Sequence, residues 1–124
     1  MLKFDFPLNL SDKGYLLFSD EIENNSHVYF HGTSMESFEK IVNQGFKLIN
    51  GAQSISFSRN SGLALKYACD RRDDNSPLGV VMAVMYPSNF NFFHQEDFGM
   101  HVYRTDIQPS IIGYCIIPAN YLHM

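Results

Sequence analysis

The most informative part of the sequence is HVYFHGTSMESFEKIVNQGF, residues 27–46. Its first five residues are rich in β-branched and aromatic side chains, which is typical of a strand, and a glycine follows them. Thr33 and Glu36 have the spacing of a capping box, in which each side chain bonds the backbone amide of the other residue. Apolar residues then recur at helical spacing as far as Gly45, so we predict a helix over about residues 34–44.

The remaining sequence predicts short strands and one further helix. Residues 54–58, SISFS, alternate polar and apolar side chains, as in a half-buried strand. Asn60 or Ser61 can cap a second helix, whose apolar face carries Tyr67. Residues 79–86, GVVMAVMY, form a continuous apolar run that favours a buried central strand. Further strands are predicted at 15–18, 46–49, 101–107 and 111–117, and loops at 19–26 and 90–99.

Length and composition fit one α+β domain. The 124 residues match the common domain size of about 100–150 residues, and a hydrophobic content of 45% is enough for one core. The helices fall early in the chain and the strands late, which indicates α+β rather than repeated β-α-β units. We expect the domain proper to span residues 27–124, with residues 1–26 packing on its core.

Charge and side-chain chemistry disfavour several classes of protein. The formal net charge of −4 argues against a duplex nucleic-acid binder that neutralises phosphates and against a protein that docks on anionic membranes. The two cysteines and five scattered histidines lack the spacing of a zinc site, so no metal is expected. Neither a membrane-spanning run of roughly 18 apolar residues nor a signal peptide is visible. These features predict a cytoplasmic protein.

Two segments carry side chains that suit a ligand. His31 and Gly32 stand between a strand and a helix N-terminus, where free backbone amides favour polar or anionic groups. The three serines of residues 54–58 would share one strand face, and Tyr67 could stack on a flat ring. Taken singly, each feature also has a structural explanation: a turn histidine, a solvated strand face and a core tyrosine.

Taken together, the two segments resemble the ADP-ribosyltransferase fold. The resemblance rests on the order of HGTS at 31–34, a capped helix, Gly45-Phe46, the SISFS strand and ALKYA at 64–68. It is closest to the histidine-containing branch, which includes poly-ADP-ribose polymerases, diphtheria-type toxins and RNA 2′-phosphotransferases. It covers about residues 28–118 and implies a split β-sheet core with two short helices. It also implies that NAD is the co-substrate.

The resemblance assigns roles to residues of the first segment and to the aromatic residue of the second helix. His31 matches the family histidine that hydrogen-bonds the adenosine ribose of NAD. Gly32 matches the residue whose backbone holds the nicotinamide carboxamide, and Thr33 belongs to the same cofactor-binding segment. Tyr67 matches the aromatic residue that stacks on the nicotinamide ring.

The second position of the family's His-Tyr-Glu triad falls at Ser56 or Phe57, and the tyrosine itself is absent. Ser-Phe-Ser is similar to the Ser-x-Ser strand of the arginine-containing toxin branch. The resemblance therefore implies that Ser56 and Ser58 contact the cofactor in place of the tyrosine, with Ser56 also acting in catalysis.

The third triad position is a glutamate that opens a late strand and supports the positive charge that develops as nicotinamide leaves. By spacing, Met100 or His101 occupies that place, and Glu96 lies a few residues earlier. Either a bulge brings Glu96 into position or the chain lacks this glutamate. We expect Glu96 to be the catalytic carboxylate. The alternative is that Glu96 is only one residue of a solvated acidic loop.

These features predict an NAD-dependent mono-ADP-ribosyltransferase that modifies a protein or nucleic-acid acceptor, as small toxin, phage or defence effectors do. The first alternative is a catalytically degenerate module that binds NAD, ADP-ribose or a protein. The second is an RNA 2′-phosphotransferase-like enzyme. That enzyme carries two histidines where this chain has Ser54 and Ser56, and an arginine near residues 51–53, where this chain has Gly-Ala-Gln.

Overall fold

The computed structural model describes residues 1–48, 51–91 and 93–123, and seven strands of these residues form one mixed sheet. The strands are β1 (Leu2–Phe4), β2 (Val28–Ser34), β3 (Ile55–Ser58), β4 (Gly79–Met85), β5 (Phe93–Glu96), β6 (Gly99–Val102) and β7 (Ser110–Ile117). The helices are α1 (Asp20–Glu23), α2 (Met35–Gln44) and α3 (Ser61–Arg71), with a 3₁₀ turn at Ser11–Lys13. The architecture is a small single α+β domain, as the sequence predicts.

The sheet has the order β1-β7-β4-β2-β3-β6-β5, and every neighbouring pair is antiparallel except β1 with β7. Strand β4 lies between β7 and β2 and is buried from Gly79 to Val84, which confirms the predicted central strand. Its alternate side chains enter two cores. Val81 and Ala83 pack in the core that contains α3, whereas Met82 packs in the core on the α2 side.

The segment before residue 27 adds both an edge strand and core side chains. Strand β1 pairs in parallel with β7, so that Leu2 lies opposite Gly113. Leu17 and Phe18 are almost fully buried in the α3-side core. Their backbone amides both donate to Glu23 Oε2, at 3.0 and 2.9 Å. These amides are therefore bonded to a side chain and not to a neighbouring strand. Residues 15–18 consequently form an irregular loop and not the predicted strand.

Helix α3 lies unusually close to β2 and β4. A Cβ atom added at Gly32 would stand 1.9 Å from the Ala64 carbonyl oxygen, and one at Gly79 would stand 2.8 Å from the Ala68 oxygen. Glycine is therefore required at both points, since any other residue would collide with helix backbone. This contact fixes the side chains of α3 next to the end of β2.

Strands β2 and β3 are joined by one residue pair, Phe30 with Ser58. Beyond that pair β2 continues to Ser34 along β4, while β3 runs along β6. The two strands therefore separate just where His31 follows Phe30. This separation leaves an opening in the sheet between β2 and β3.

Both predicted main helices are present, but the cap of α2 differs from the predicted one. Thr33 is still part of β2, opposite Val80, so it cannot serve as the cap. Ser34 is the N-cap, and its Oγ accepts a hydrogen bond from the Ser37 amide at 3.2 Å. The amide of Glu36 donates instead to Ser76 Oγ, at 3.1 Å. The helix consequently begins at Met35.

Several predicted loops and strands in the remaining sequence are also corrected. The loop predicted at 19–26 contains α1, and the loop predicted at 90–99 contains β5 and the start of β6. Residues 93–102 form a hairpin with a two-residue turn, and β6 ends at Val102 rather than at residue 107. Residues 46–48 are not in a strand, and Ile49 lies outside the described residues. The Gln108 side chain bonds both the amide and the carbonyl of Phe46, in place of a partner strand.

Candidate functional site

A cavity of about 400 Å³ occupies the opening between β2 and β3, and α2 and α3 form its sides. Its volume lies within the range of about 300–1,000 Å³ that is common for small-molecule sites. Every residue that the sequence assigned to cofactor binding lines it: His31, Gly32, Thr33, Ser56, Ser58 and Tyr67. The fold therefore brings residues from three separate elements to one surface.

His31 bridges the two strands at the mouth of the opening. Its Nδ1 lies 2.8 Å from the Ser56 carbonyl oxygen, and its ring packs against Phe46 and Phe57. A carbonyl oxygen only accepts, so Nδ1 carries the hydrogen and Nε2 of the neutral ring keeps its lone pair. Burial lowers the pKa of His31, the bond to Ser56 opposes this, and the positive charge of Arg71 lowers the pKa further. The neutral ring of His31 can therefore accept a further hydrogen bond at Nε2.

The lowered pKa of His31 predicts a loss of stability in acid. An unfolded histidine binds its proton near pH 6.5, whereas folded His31 resists protonation, so the unfolded state binds more protons as the pH falls below that value. Urea unfolding at pH 7 and pH 5 should show that His31→Gln has a smaller acid-induced loss than the wild type. His27→Gln provides the control, because His27 is exposed and does not line the cavity. Equal pH dependence in all three proteins would contradict this prediction.

Three cationic side chains that the sequence analysis did not single out also line the cavity: Lys40, Lys47 and Arg71. Among its described lining residues none is acidic, although the whole chain carries a net charge of −4. Lys40 is paired with Glu36 at 3.5 Å on the exposed face of α2. This local excess of positive charge favours an anionic ligand, and guanidinium groups suit phosphate oxygens in particular.

Tyr67 and Arg71 stand one turn apart on α3. Tyr67 is 49% exposed, unlike Ala64 and Ala68, which face β2 and are fully buried. Tyr67 therefore lines the cavity and is not a core tyrosine, which was the alternative that the sequence left open. The i, i+4 spacing of Tyr67 and Arg71 was the one sequence signal that could have identified the arginine.

Glu96 does not line the cavity. It lies on β5 opposite Gly99, and β5 pairs with β6 without a register shift over residues 93–102. The residue opposite Ser56 on β6 is His101, whereas Met100 lies opposite Phe57 and is buried in the core. Glu96 instead contacts His101, with 3.3 Å between Oε1 and Nε2. It therefore reaches the predicted site only through that histidine.

Within the ranges that the structure describes, no cluster of three or more histidine, cysteine, aspartate or glutamate residues could hold a metal ion. In the same ranges no helix is long and apolar enough to cross a membrane.

Comparison of the chain with protein-family models, with curated proteins and with solved structures finds no match.

Proposed function

We propose that the chain is an NAD-dependent mono-ADP-ribosyltransferase with an ADP-ribosyltransferase-like fold, and that NAD binds between β2 and β3. One observation carries the proposal: residues assigned from the sequence on β2, β3 and α3 line a single cavity of suitable size. The sheet order supports it, because β2, β3 and β6 are successive neighbours. His31 on β2, Ser56 on β3 and His101 on β6, one of the two residues that spacing puts at the third position, are therefore on adjacent strands, whereas Glu96 lies on β5.

Each group has a role that its chemistry suits. The neutral His31 accepts a hydrogen bond from a ribose hydroxyl, the backbone of Gly32 holds the carboxamide, and Tyr67 stacks on the nicotinamide ring. Arg71 and the two lysines bind the pyrophosphate oxygens. In the reaction the bond between the ribose C1′ and nicotinamide breaks, and its electron pair leaves with nicotinamide. The ADP-ribosyl group passes to a protein or nucleic-acid acceptor, and we place this reaction in the cytoplasm.

A second candidate is a module that binds NAD or ADP-ribose without catalysis. It is favoured by the position of Glu96 outside the cavity and by the lack of any carboxylate among the described lining residues. Both candidates predict that ADP-ribose raises the thermal stability of the protein, because a ligand that binds only the folded state stabilises it. Only the enzyme releases nicotinamide.

The test is transfer of labelled ADP-ribose from NAD into a cell lysate, together with chromatographic measurement of free nicotinamide. We expect the wild type and the control His27→Ala to label an acceptor. We expect His31→Ala to be about fivefold to 150-fold slower, because a ribose hydroxyl left without its partner costs about 1–3 kcal/mol. Nuclease and protease treatment of the product identify the class of acceptor.

Two results would contradict the enzymatic proposal. Binding of ADP-ribose with no nicotinamide release would establish the non-catalytic module instead. Failure of NAD and ADP-ribose to bind at all would exclude both candidates. Equal activity of His31→Ala and the wild type would overturn the assignment of His31 alone.

A further inference from the structure

We propose that Ser56, His101 and Glu96 form a proton relay that deprotonates the acceptor, and that the acceptor group is a hydroxyl rather than a carboxylate. The inference rests on the proposed transferase function and names its acceptor class. His101 is the general base, Ser56 passes the proton to it, and Glu96 is a positioning residue.

The three side chains are connected by two contacts across neighbouring strands. Ser56 on β3 is in register with His101 on β6, and Ser56 Oγ lies 2.9 Å from His101 Nδ1. His101 Nε2 lies 3.3 Å from Glu96 Oε1 on β5. The chain of contacts thus runs from the cavity wall, where Ser56 is exposed, to a carboxylate outside the cavity.

The direction in which the relay moves the proton follows from Glu96, its last member. An ionised carboxylate has no hydrogen to donate, so the contact with Glu96 places the imidazole hydrogen on Nε2. Nδ1 of His101 then holds the lone pair and accepts from the Ser56 hydroxyl. Ser56 Oγ retains lone-pair capacity toward the cavity. This order of groups is the general pattern of an activated hydroxyl: the hydroxyl contacts a base, and a further group orients that base.

The groups that face His101 come from both neighbouring strands. Strand β5 contributes Glu96 and, directly opposite in register, the exposed His94. Strand β3 contributes Ser56 and, at a longer 3.5 Å from Nδ1, Ser54 Oγ. Among these facing groups Glu96 is the one anion, so it is the group that stabilises the imidazolium formed when His101 takes a proton.

A base helps only a nucleophile that must lose a proton, so the relay suits an acceptor that carries one, as a hydroxyl does. A carboxylate acceptor carries none at neutral pH. In the proposed step a bond forms between C1′ of the ribose and the acceptor oxygen. The bond from C1′ to nicotinamide breaks with its electron pair, and nicotinamide leaves neutral. The acceptor proton moves to Ser56 Oγ as the Ser56 proton moves to His101 Nδ1, from which it passes to solvent.

The test supplies NAD with methanol or acetate as small acceptors and measures nicotinamide, ADP-ribose and the two possible adducts. We expect the wild type to form the methyl adduct and no acetyl adduct. His101→Gln should lower kcat by about 100-fold to 10,000-fold, the usual contribution of a general base, with little change in KM for NAD. His27→Gln is the control, because His27 is exposed and does not line the cavity, and it should behave as the wild type.

Two further variants separate the relay from a purely structural role. Glu96→Gln should lower kcat with little change in KM for NAD, because the imidazolium loses its neighbouring anion, and Glu96→Asp should recover part of the loss because aspartate keeps the charge. Ser56→Ala should lose most of the methyl adduct, and Ser56→Thr should recover it because threonine keeps the hydroxyl. A structural defect would instead lower the melting temperatures of Ser56→Ala and Glu96→Gln, and Glu96→Asp would recover no activity.

The outcomes distinguish the relay from the transferase proposal. Normal nicotinamide release by His101→Gln, or transfer to acetate rather than methanol, would overturn the relay and leave the NAD site intact. A wild-type kcat in Glu96→Gln would remove Glu96 from it. A wild type that binds NAD but never releases nicotinamide would overturn both proposals together.

Discussion

Gly32→Ala should destabilise the folded protein by more than about 3 kcal/mol, beyond the usual range for an overpacked core. The new Cβ would stand 1.9 Å from the Ala64 carbonyl oxygen and 2.8 Å from the Ala68 amide nitrogen. Both atoms are helix backbone, so the clash is relieved only if α3 moves off β2. The free energy of unfolding, measured by urea titration with circular dichroism, checks this prediction.

Gly62→Ala is the control for that substitution. Gly62 lies in the first turn of α3, and an added Cβ would come no closer than 3.4 Å to another atom, at Asn60 Oδ1 and Tyr15 O. Because alanine favours a helix over glycine, we expect no loss of stability and a gain of up to about 1 kcal/mol. If Gly32→Ala were as stable as Gly62→Ala, α3 would not be seated on β2 as described.

The same contact changes the interpretation of Gly32. The sequence explains this glycine by the close approach of a ligand, whereas the structure places the backbone of α3 against it. Such a partner lies more than thirty residues away in the chain and leaves no local pattern around residue 32. A strand-glycine-helix segment indicates that something approaches the backbone, and only the fold shows that it is a helix.

Elements with strong local patterns could be predicted from the sequence. Helix α2 follows from its apolar spacing and its following glycine, and β4 follows from an uninterrupted apolar run. Elements that depend on distant partners could not. Residues 93–102 become a hairpin although β5 is largely exposed, and Phe46 is held by the side chain of Gln108, sixty-two residues away.

The candidate site shows the same division. His31 and Ser56 were found because each stands in a recognisable local motif, and the fold joins them by one hydrogen bond. The cations were missed because Lys40, Lys47 and Arg71 come from separate segments, each unremarkable alone. His101 became a candidate by spacing, but its contacts with Ser56 and Glu96 depend on strand register.

Arg71→Ala should weaken the binding of ADP-ribose by about tenfold to hundredfold, because a hydrogen bond to a charged group contributes about 1.5–3 kcal/mol. Isothermal titration calorimetry with ADP-ribose measures the effect. The loss should shrink at high salt, where charges at the exposed rim of the cavity are screened. Lys66→Ala is the matched control, since Lys66 lies on the same helix, pairs with Asp70 at 3.8 Å and does not line the cavity.

The loss of affinity in Arg71→Ala should also depend on pH. Burial is the main cause of the lowered pKa of His31, and the charge of Arg71 lowers this pKa further, so removal of Arg71 should let His31 take up its proton at a higher pH than in the wild type. Protonated His31 cannot accept a hydrogen bond at Nε2. The ratio of variant to wild-type dissociation constants for ADP-ribose should therefore be larger at pH 6 than at pH 8. A ratio that stays constant over this range would contradict this prediction and leave the direct contact of Arg71 with the ligand as the effect that the variant removes.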